Sequence, residues 1–308
     1  MTNEFDIIVV PGDAAEATEA MGTKFKFWFY HPELGYCLYK QARPNTGEDW
    51  AEKIAASLCE LLKVPHARIE LATWNNARGT VSPSFLPNGS SLILGNEILA
   101  PMVPEYPRFQ AFNVSQHTLD VVLAAINNNA VNLPLNWIPP AGIQTAVDTF
   151  VGYLVLDAWI GNSDRHHENW GFIETSLDAS TQKRMFHLAP TYDHASSLGR
   201  EMLDSKRLER LLNRSVSAYV DKCRSALYAQ IGDKKALRPL DAFREAAQQA
   251  TNAASVWLEC LSCVSSTETL ALFNRVPSNR ISETAIAFAQ DILEINQRRL
   301  LGLREELL

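Results

Sequence analysis

Gly161-Asn162-Ser163-Asp164-Arg165-His166-His167-Glu168-Asn169-Trp170 concentrates acids, amides and imidazoles in ten consecutive residues. It follows an apolar stretch, 141–160, that reads as one long helix, and it leads into a short strand predicted over Trp170–Glu174. A second strand, Met185–Leu188, runs into Ala189-Pro190-Thr191-Tyr192-Asp193-His194-Ala195-Ser196-Ser197. Two polar loops leaving adjacent strand ends can meet across one site.

Transfer of a phosphoryl group from ATP asks few groups of a protein. It needs a carboxylate for the attacking hydroxyl, oxygen ligands for Mg²⁺ and a cation on the phosphates. Asp164 supplies the first, and Asn169 with Asp193 supplies hard ligands suited to Mg²⁺. Any one of these residues reads equally well as a turn former. The ordered set favours chemistry.

The phosphate cation is expected upstream. Lys24–Tyr30 and Tyr36–Lys40 are aromatic-rich, flank a Pro- and Gly-containing turn and read as a hairpin, with Lys40 ending its second strand. Pro44–Asp49 reads as a disordered stretch. A helix over Gly47–Val64 follows, with Trp50, Ile54, Leu58, Leu61 and Leu62 at helical spacing and Pro65 closing it. Glu52 falls in its first turns, and a strand Lys paired with a helix Glu holds ATP phosphates in kinases. Ahead of the hairpin, Gly22, Thr23, Lys24 and Lys26 form a candidate phosphate-covering loop. Neither G-x-G-x-x-G nor G-x-x-x-x-G-K-[S/T] occurs, so a eukaryotic-type kinase loop and a P-loop are both excluded.

The remaining organisation is coarse. Arg68–Trp74 and Ser91–Leu94 are strand candidates, and three prolines in 100–108 mark a boundary between a strand-rich part, 1–105, and a mostly helical part, 106–308. Helices are expected over Ser115–Asn127, capped by the Ser, and over Ser282–Leu308. The 308 residues carry a net charge of −7, which argues against nucleic acid or an anionic membrane as the main partner; 200–214 is the best local basic stretch. No signal peptide or membrane span is legible, and five scattered cysteines suit reduced thiols in a cytoplasmic setting. Cys260 and Cys263 form a lone C-x-x-C, read as buried helix thiols because zinc would need a second ligand pair.

The run D-A-W-I-G-N-S-D-R-H-H-E-N-W, followed by A-P-T-Y-D-H-A-S-S, resembles the signature of HipA-like serine/threonine kinases of toxin–antitoxin systems. G-T-K-F-K, Y-K, G-E-D-W-A-E, L-I-L-G-N-E-I-L and the final helix around Asn296 and Arg298-Arg299-Leu300 resemble short, single-chain members. The resemblance implies an α+β, bilobal protein-kinase-like fold using ATP and Mg²⁺. It implies Asp164 as the catalytic acid, Asn169 and Asp193 as magnesium ligands, and Lys40 on the phosphates with Glu52 as its partner. Gly22, Thr23, Lys24 and Lys26 would cover the phosphates, and Asn96 and Glu97 would contact nucleotide near a hinge at 94–105. Arg165 and His166 would brace the catalytic loop. The expected partners are a protein substrate, with an aminoacyl-tRNA synthetase as the family precedent, and an antitoxin protein. The family's autophosphorylated loop serine has no counterpart here, so self-inhibition of that type would use Thr23 or Thr18 or be absent.

Two rival readings come from other classes. Asp164, His166, His167, His187, Asp193 and His194 are ligand types for a metal-dependent hydrolase, though the early D-x-H of metallophosphatases is missing. A pseudokinase binding module is the other, against which the retention of Lys40, Glu52, Asp164, Asn169 and Asp193 speaks.

Overall fold

A computed structural model of the chain describes residues 3–15, 25–128, 131–175 and 184–307. The strands β1 (Ile7–Val10), β2 (Lys26–His31) and β3 (Gly35–Gln41) precede helix α1 (Glu48–Leu62), and β4 (Glu70–Trp74) and β5 (Ala77–Pro83) follow it. They form one five-stranded sheet in the order β1-β4-β5-β3-β2, antiparallel except for the β1–β4 pair. The expected hairpin is β2–β3, with Lys26 opposite Lys40. Alternation turns Phe27, Phe29, Cys37, Tyr39, Ala72 and Val81 into a small core of their own. β1 and β5 were not anticipated. β1 is a four-residue run, and β5, Ala-Arg-Gly-Thr-Val-Ser-Pro, is too polar and too short of aromatics to show strand periodicity.

Pro44–Asp49, expected to be disordered, is an exposed turn that becomes buried from Gly47 onward. Asp49 is buried and takes a bidentate pair from Arg78 and a 2.9 Å contact from Arg280. Arg280 also donates to the carbonyl of Ala72 and the hydroxyl of Thr73, tying the start of α1 to the sheet and to the C-terminal helices at once. A buried carboxylate is tolerable only when paired in this way.

β6 (Ser91–Leu94) does not extend the first sheet. It pairs with β7 (Gly171–Thr175), which pairs with β8 (Met185–Leu188). Helix α2 (Gly95–Leu99) follows β6, and α3 (Leu119–Asn128) starts four residues later than the sequence suggested, because Thr118 rather than Ser115 accepts from the first-turn amide of Val121. The apolar helix α4 (Ala146–Ile160) is set by a Thr145–Asp148 capping box and is buried on all sides. Around it pack α5 (Asp204–Leu212), α6 (Val216–Val220), α7 (Pro239–Gln249), α8 (Thr251–Ser262), α9 (Ser266–Phe273), α10 (Glu283–Gly302) and the terminal turn α11 (Arg304–Leu307). A mixed α+β fold results, sheet-rich in its N-terminal part and helical in its C-terminal part, as a kinase-like fold requires.

Three smaller expectations are corrected. Cys263 is exposed at the C-cap of α8 and Cys260 is half-covered, so neither is a buried thiol. The 200–214 stretch is not a free basic face: Arg200 pairs with Glu48, and Arg207 pairs with Asp204 while lying over the Trp50 ring. Among the described residues, no helix is long and apolar enough to cross a membrane.

Candidate active site

α4 ends where Gly161 takes a left-handed conformation (φ 65°), donating its amide to the carbonyl of Asp157. That glycine turns the chain sharply out of the helix into the polar loop. Asp157, one turn back, is buried and receives Arg165 through two 2.7 Å bonds, from Nε and NH2. Asn162 adds a third, 2.8 Å bond to the same carboxylate. One hydrogen of NH1 goes to the carbonyl of Asn169 (2.7 Å), and the second hydrogen of NH2 faces both the Thr191 hydroxyl (3.0 Å) and Nε2 of His194 (3.2 Å). Burial and the Arg165 charge both hold the His194 pKa well below the ordinary value, so the ring stays neutral and its Nε2 accepts. Arg165 therefore bolts the 161–170 loop to the 189–197 loop. This is the bracing role the sequence implied for it.

Asp164 is left half-exposed in this loop, and Asn169 is buried beside it. The Asn169 side-chain amide donates to the Asp164 carbonyl at 2.7 Å, which leaves its oxygen as an acceptor that could hold a cation. Asp164 Oδ2 accepts from the Ser196 hydroxyl at 3.3 Å, and Oδ1 lies 3.7 Å from His166 Nε2. His166 also accepts from the Glu168 amide and packs edge-on against Phe112.

Asp193 follows half-buried Tyr192, whose hydroxyl donates to the Glu168 carbonyl. Its backbone is left-handed (φ 59°), an unfavourable state for a residue with a Cβ that turns its carboxylate towards the sheet while His194 enters the core. The carboxylate meets Lys40 Nζ at 3.0 Å, and Lys40 lies 3.5 Å from Glu52 on α1. Thr80, the cross-strand partner of Lys40, also reaches Glu52 from the same face of the sheet. Burial disfavours the Lys40 ammonium, but the charges of Asp193 and then Glu52 outweigh it and raise its pKa, so it stays charged.

The structure thus brings Lys40, Glu52 and Asp193 into direct contact and joins Asp164 to Asn169. An aspartate carboxylate and an amide oxygen are hard ligands of the kind Mg²⁺ takes together with phosphate oxygens, and the paired Lys40 suits a phosphate. The residues present fit both groups. Asn96 and Glu97 are placed elsewhere in the pattern: the Asn96 side chain donates to the Arg108 carbonyl, and Glu97 accepts from the Leu94 amide and pairs with Arg108. Lys26 sits opposite Lys40 at the start of β2. Gly22, Thr23 and Lys24, with Thr18, lie outside the described residues.

Of the histidines of the hydrolase reading, His166 lies beside Asp164, and the other three have separate partners. His167 is bonded to Tyr106, His187 to the Leu133 carbonyl and His194 to Thr191. Among the described residues, no group of three His, Cys, Asp or Glu is placed to hold a metal ion.

Sequence reasoning assigned no role to Asp157, Glu48, Ser196 or Arg200. Asp157 had a usable signal, since an acid inside an otherwise apolar helix must find a buried partner. Ser196 stood inside the quoted motif. Glu48 and Arg200 carried no sequence signal, because their pairing crosses about 150 residues of chain.

The fold is of kinase-like, α+β type. Among solved structures, the Helicobacter pylori proinflammatory kinase CtkA superposes with a TM-score of 0.70 at 18% identity, covering 94% of this chain and 93% of that one. HipA of Shewanella oneidensis, solved with HipB and its operator DNA, superposes with a TM-score of 0.59 at 13% identity, covering 94% of this chain and 66% of that one. The chain therefore has the fold of HipA-like kinases. No protein-family model and no curated protein sequence matches it.

Replacing Lys40 with Ala is expected to lower turnover about a hundredfold, the usual loss when one preorganised charged donor is removed. The thermal midpoint should fall as well, because Lys40 faces the buried carboxylate of Glu52 and removing one partner of a buried pair is costly, so turnover is compared per folded molecule. Parallel melting and turnover measurements decide this. A collapse in melting temperature with turnover per folded molecule intact would make Lys40 a structural residue.

Proposed function

We propose that the protein is a HipA-like kinase that transfers the γ-phosphate of Mg·ATP to a serine or threonine of another protein. The observation that carries this reading is the contact of Lys40 with both Glu52 and Asp193, beside a loop that presents Asp164 and Asn169. In this reading residues 1–105 hold the phosphates, through Lys40 and the loop containing Gly22, Thr23, Lys24 and Lys26, with Asn96 and Glu97 near the hinge. Residues 106–308 present the acceptor.

Lys40, anchored by Glu52, binds phosphate oxygens and draws charge from the bond that breaks. Asp164 orients the acceptor hydroxyl and takes its proton as the oxygen attacks phosphorus and ADP departs. Asn169 and Asp193 would hold Mg²⁺, which supplies charge neutralisation of the phosphates. Arg165, by joining the two loops, keeps Asp164 and Asp193 in register.

The same reading makes the protein a cytoplasmic toxin component. An antitoxin would be its restraining partner, as HipB accompanies HipA in the solved complex. An aminoacyl-tRNA synthetase is the first substrate to try. No direct contact with nucleic acid is proposed, in keeping with the net charge of −7.

The test is incubation of wild type and Asp164→Asn with cell lysate and γ-labelled ATP in Mg²⁺. Label on a serine or threonine of one protein is expected from wild type only, with at least about a hundredfold loss in the variant. Nucleotide binding with no label transferred and no ADP formed by wild type would leave a nucleotide-binding module instead of a kinase, and equal ADP release from the two proteins would remove Asp164 from the chemistry.

A further inference from the structure

We propose, resting on the kinase reading above, that Ser196 and Arg200 are positioning residues through which α1 sets the catalytic carboxylate of Asp164. Glu48 and Glu52 are four residues apart and so share one face of α1. Glu52 reaches Asp193 through Lys40. Glu48 reaches Asp164 through a second chain. Its buried carboxylate meets NH1 of Arg200 at 3.0 Å, NH2 of Arg200 donates to the Ser196 hydroxyl at 3.1 Å, and that hydroxyl donates to Asp164 Oδ2 at 3.3 Å.

Each link is fixed by chemistry as well as by distance. A guanidinium is a planar fork, so seating NH1 on Glu48 dictates where NH2 points. A hydroxyl has one proton, and with Arg200 donating into its oxygen that proton goes to Asp164. Ser196 itself is pinned, since its carbonyl accepts from both the amide (3.0 Å) and the hydroxyl (3.1 Å) of Ser163, next to Asp164. The Arg200 carbonyl accepts from the amide of Gly47, at the cap of α1 (2.9 Å). Arg43 also pairs with Glu48, so the α1 end of the chain is a fixed anchor. The Ser196 hydrogen bond to Oδ2 fixes the direction in which the Asp164 carboxylate faces. A shift of α1 disturbs the phosphate cation and the catalytic base together.

The test uses the full-length protein and steady-state ADP release from Mg·ATP, with Mg·ADP affinity by calorimetry, thermal melts and intact mass beside it. Ser196→Ala and Arg200→Met are each expected to lower kcat about ten- to a hundredfold, the scale of a misplaced catalytic group, with KM for ATP and Mg·ADP affinity unchanged. Ser196→Thr, which keeps the hydroxyl, should restore most of kcat. The double variant should fall no further than the worse single one, because both act through one chain. Wild-type kcat in both single variants, multiplying losses in the double variant, or a loss confined to KM or melting temperature would overturn the relay. Phosphate found on Ser196 in wild type, with longer-lived activity in Ser196→Ala, would also overturn it and make Ser196 an acceptor. The kinase reading is judged separately by Asp164→Asn: if that variant releases ADP like wild type, the reading fails and the relay falls with it. If Asp164→Asn is inactive and the Ser196 and Arg200 variants are not, the relay alone fails.

Discussion

Asp193→Ala is expected to abolish Mg-dependent nucleotide turnover, with a loss of about a thousandfold or more. In the proposed reading the variant removes the carboxylate that would hold Mg²⁺ together with the Asn169 side-chain oxygen, and it strips Lys40 of its closest counter-charge, at 3.0 Å. A metal that offsets phosphate charge contributes several kcal/mol to the transition state, and about 4 kcal/mol corresponds to three powers of ten. Ala also relieves nothing useful in the backbone, since φ at this position is 59° and Ala tolerates the left-handed region no better than Asp. Asp193→Asn is the informative companion: it keeps one oxygen ligand and loses the charge, so weakened binding that recovers at high Mg²⁺ is expected. Calorimetric titration of nucleotide at several Mg²⁺ concentrations, with circular dichroism to verify folding, checks both. A folded Asp193→Ala protein with wild-type Mg·ATP affinity and turnover would remove this residue from the site.

Arg165→Met should cost about 3–5 kcal/mol of folding stability, a large share of the roughly 5–15 kcal/mol a domain has. The side chain is fully buried and makes bonds to Asp157, Asn169, Thr191 and His194. Removing it strands the Asp157 carboxylate in an apolar helix. The double variant Asp157→Leu/Arg165→Met should recover much of that stability, because a well-packed apolar pair replaces an ion pair at little cost. Turnover should not recover with it, since the bolt between the two loops is gone and Asp164 and Asp193 lose their register. Urea denaturation followed by circular dichroism, with turnover measured on the folded fraction, separates the two effects. An Arg165→Met protein as stable as wild type would show that Asp157 finds other partners, and a double variant with full turnover would show that the loops need no bolt.

Much of this molecule was legible before any coordinates. The β2–β3 hairpin, α1, α4 and the pairing of β7 with β8 follow from short-range signals: aromatic alternation, helical spacing and a glycine just past an apolar helix. Asp164, Asn169 and Asp193 could be proposed because the chemistry needs an acid and two oxygen ligands, and the chain supplies them in two dense loops. The same logic reached Lys40 and Glu52 because a strand cation and a helix acid are separated by only twelve residues.

What sequence could not decide is what each polar residue faces. Glu48 and Asp49 sit side by side in a stretch that reads as polar and unstructured, yet both are buried, because their partners Arg200, Arg78 and Arg280 come from distant parts of the chain. β6 lies in sequence beside the first sheet but hydrogen-bonds to β7, since strand pairing depends on which edge is open rather than on order. Six histidine and aspartate ligand types read as a potential metal cluster, and the fold turns His167, His187 and His194 to separate internal partners. Local propensity and spacing determine elements and the residue types available to a site. Long-range ion pairing, which no periodicity encodes, determined which of those residues became structure and which were left to the candidate site.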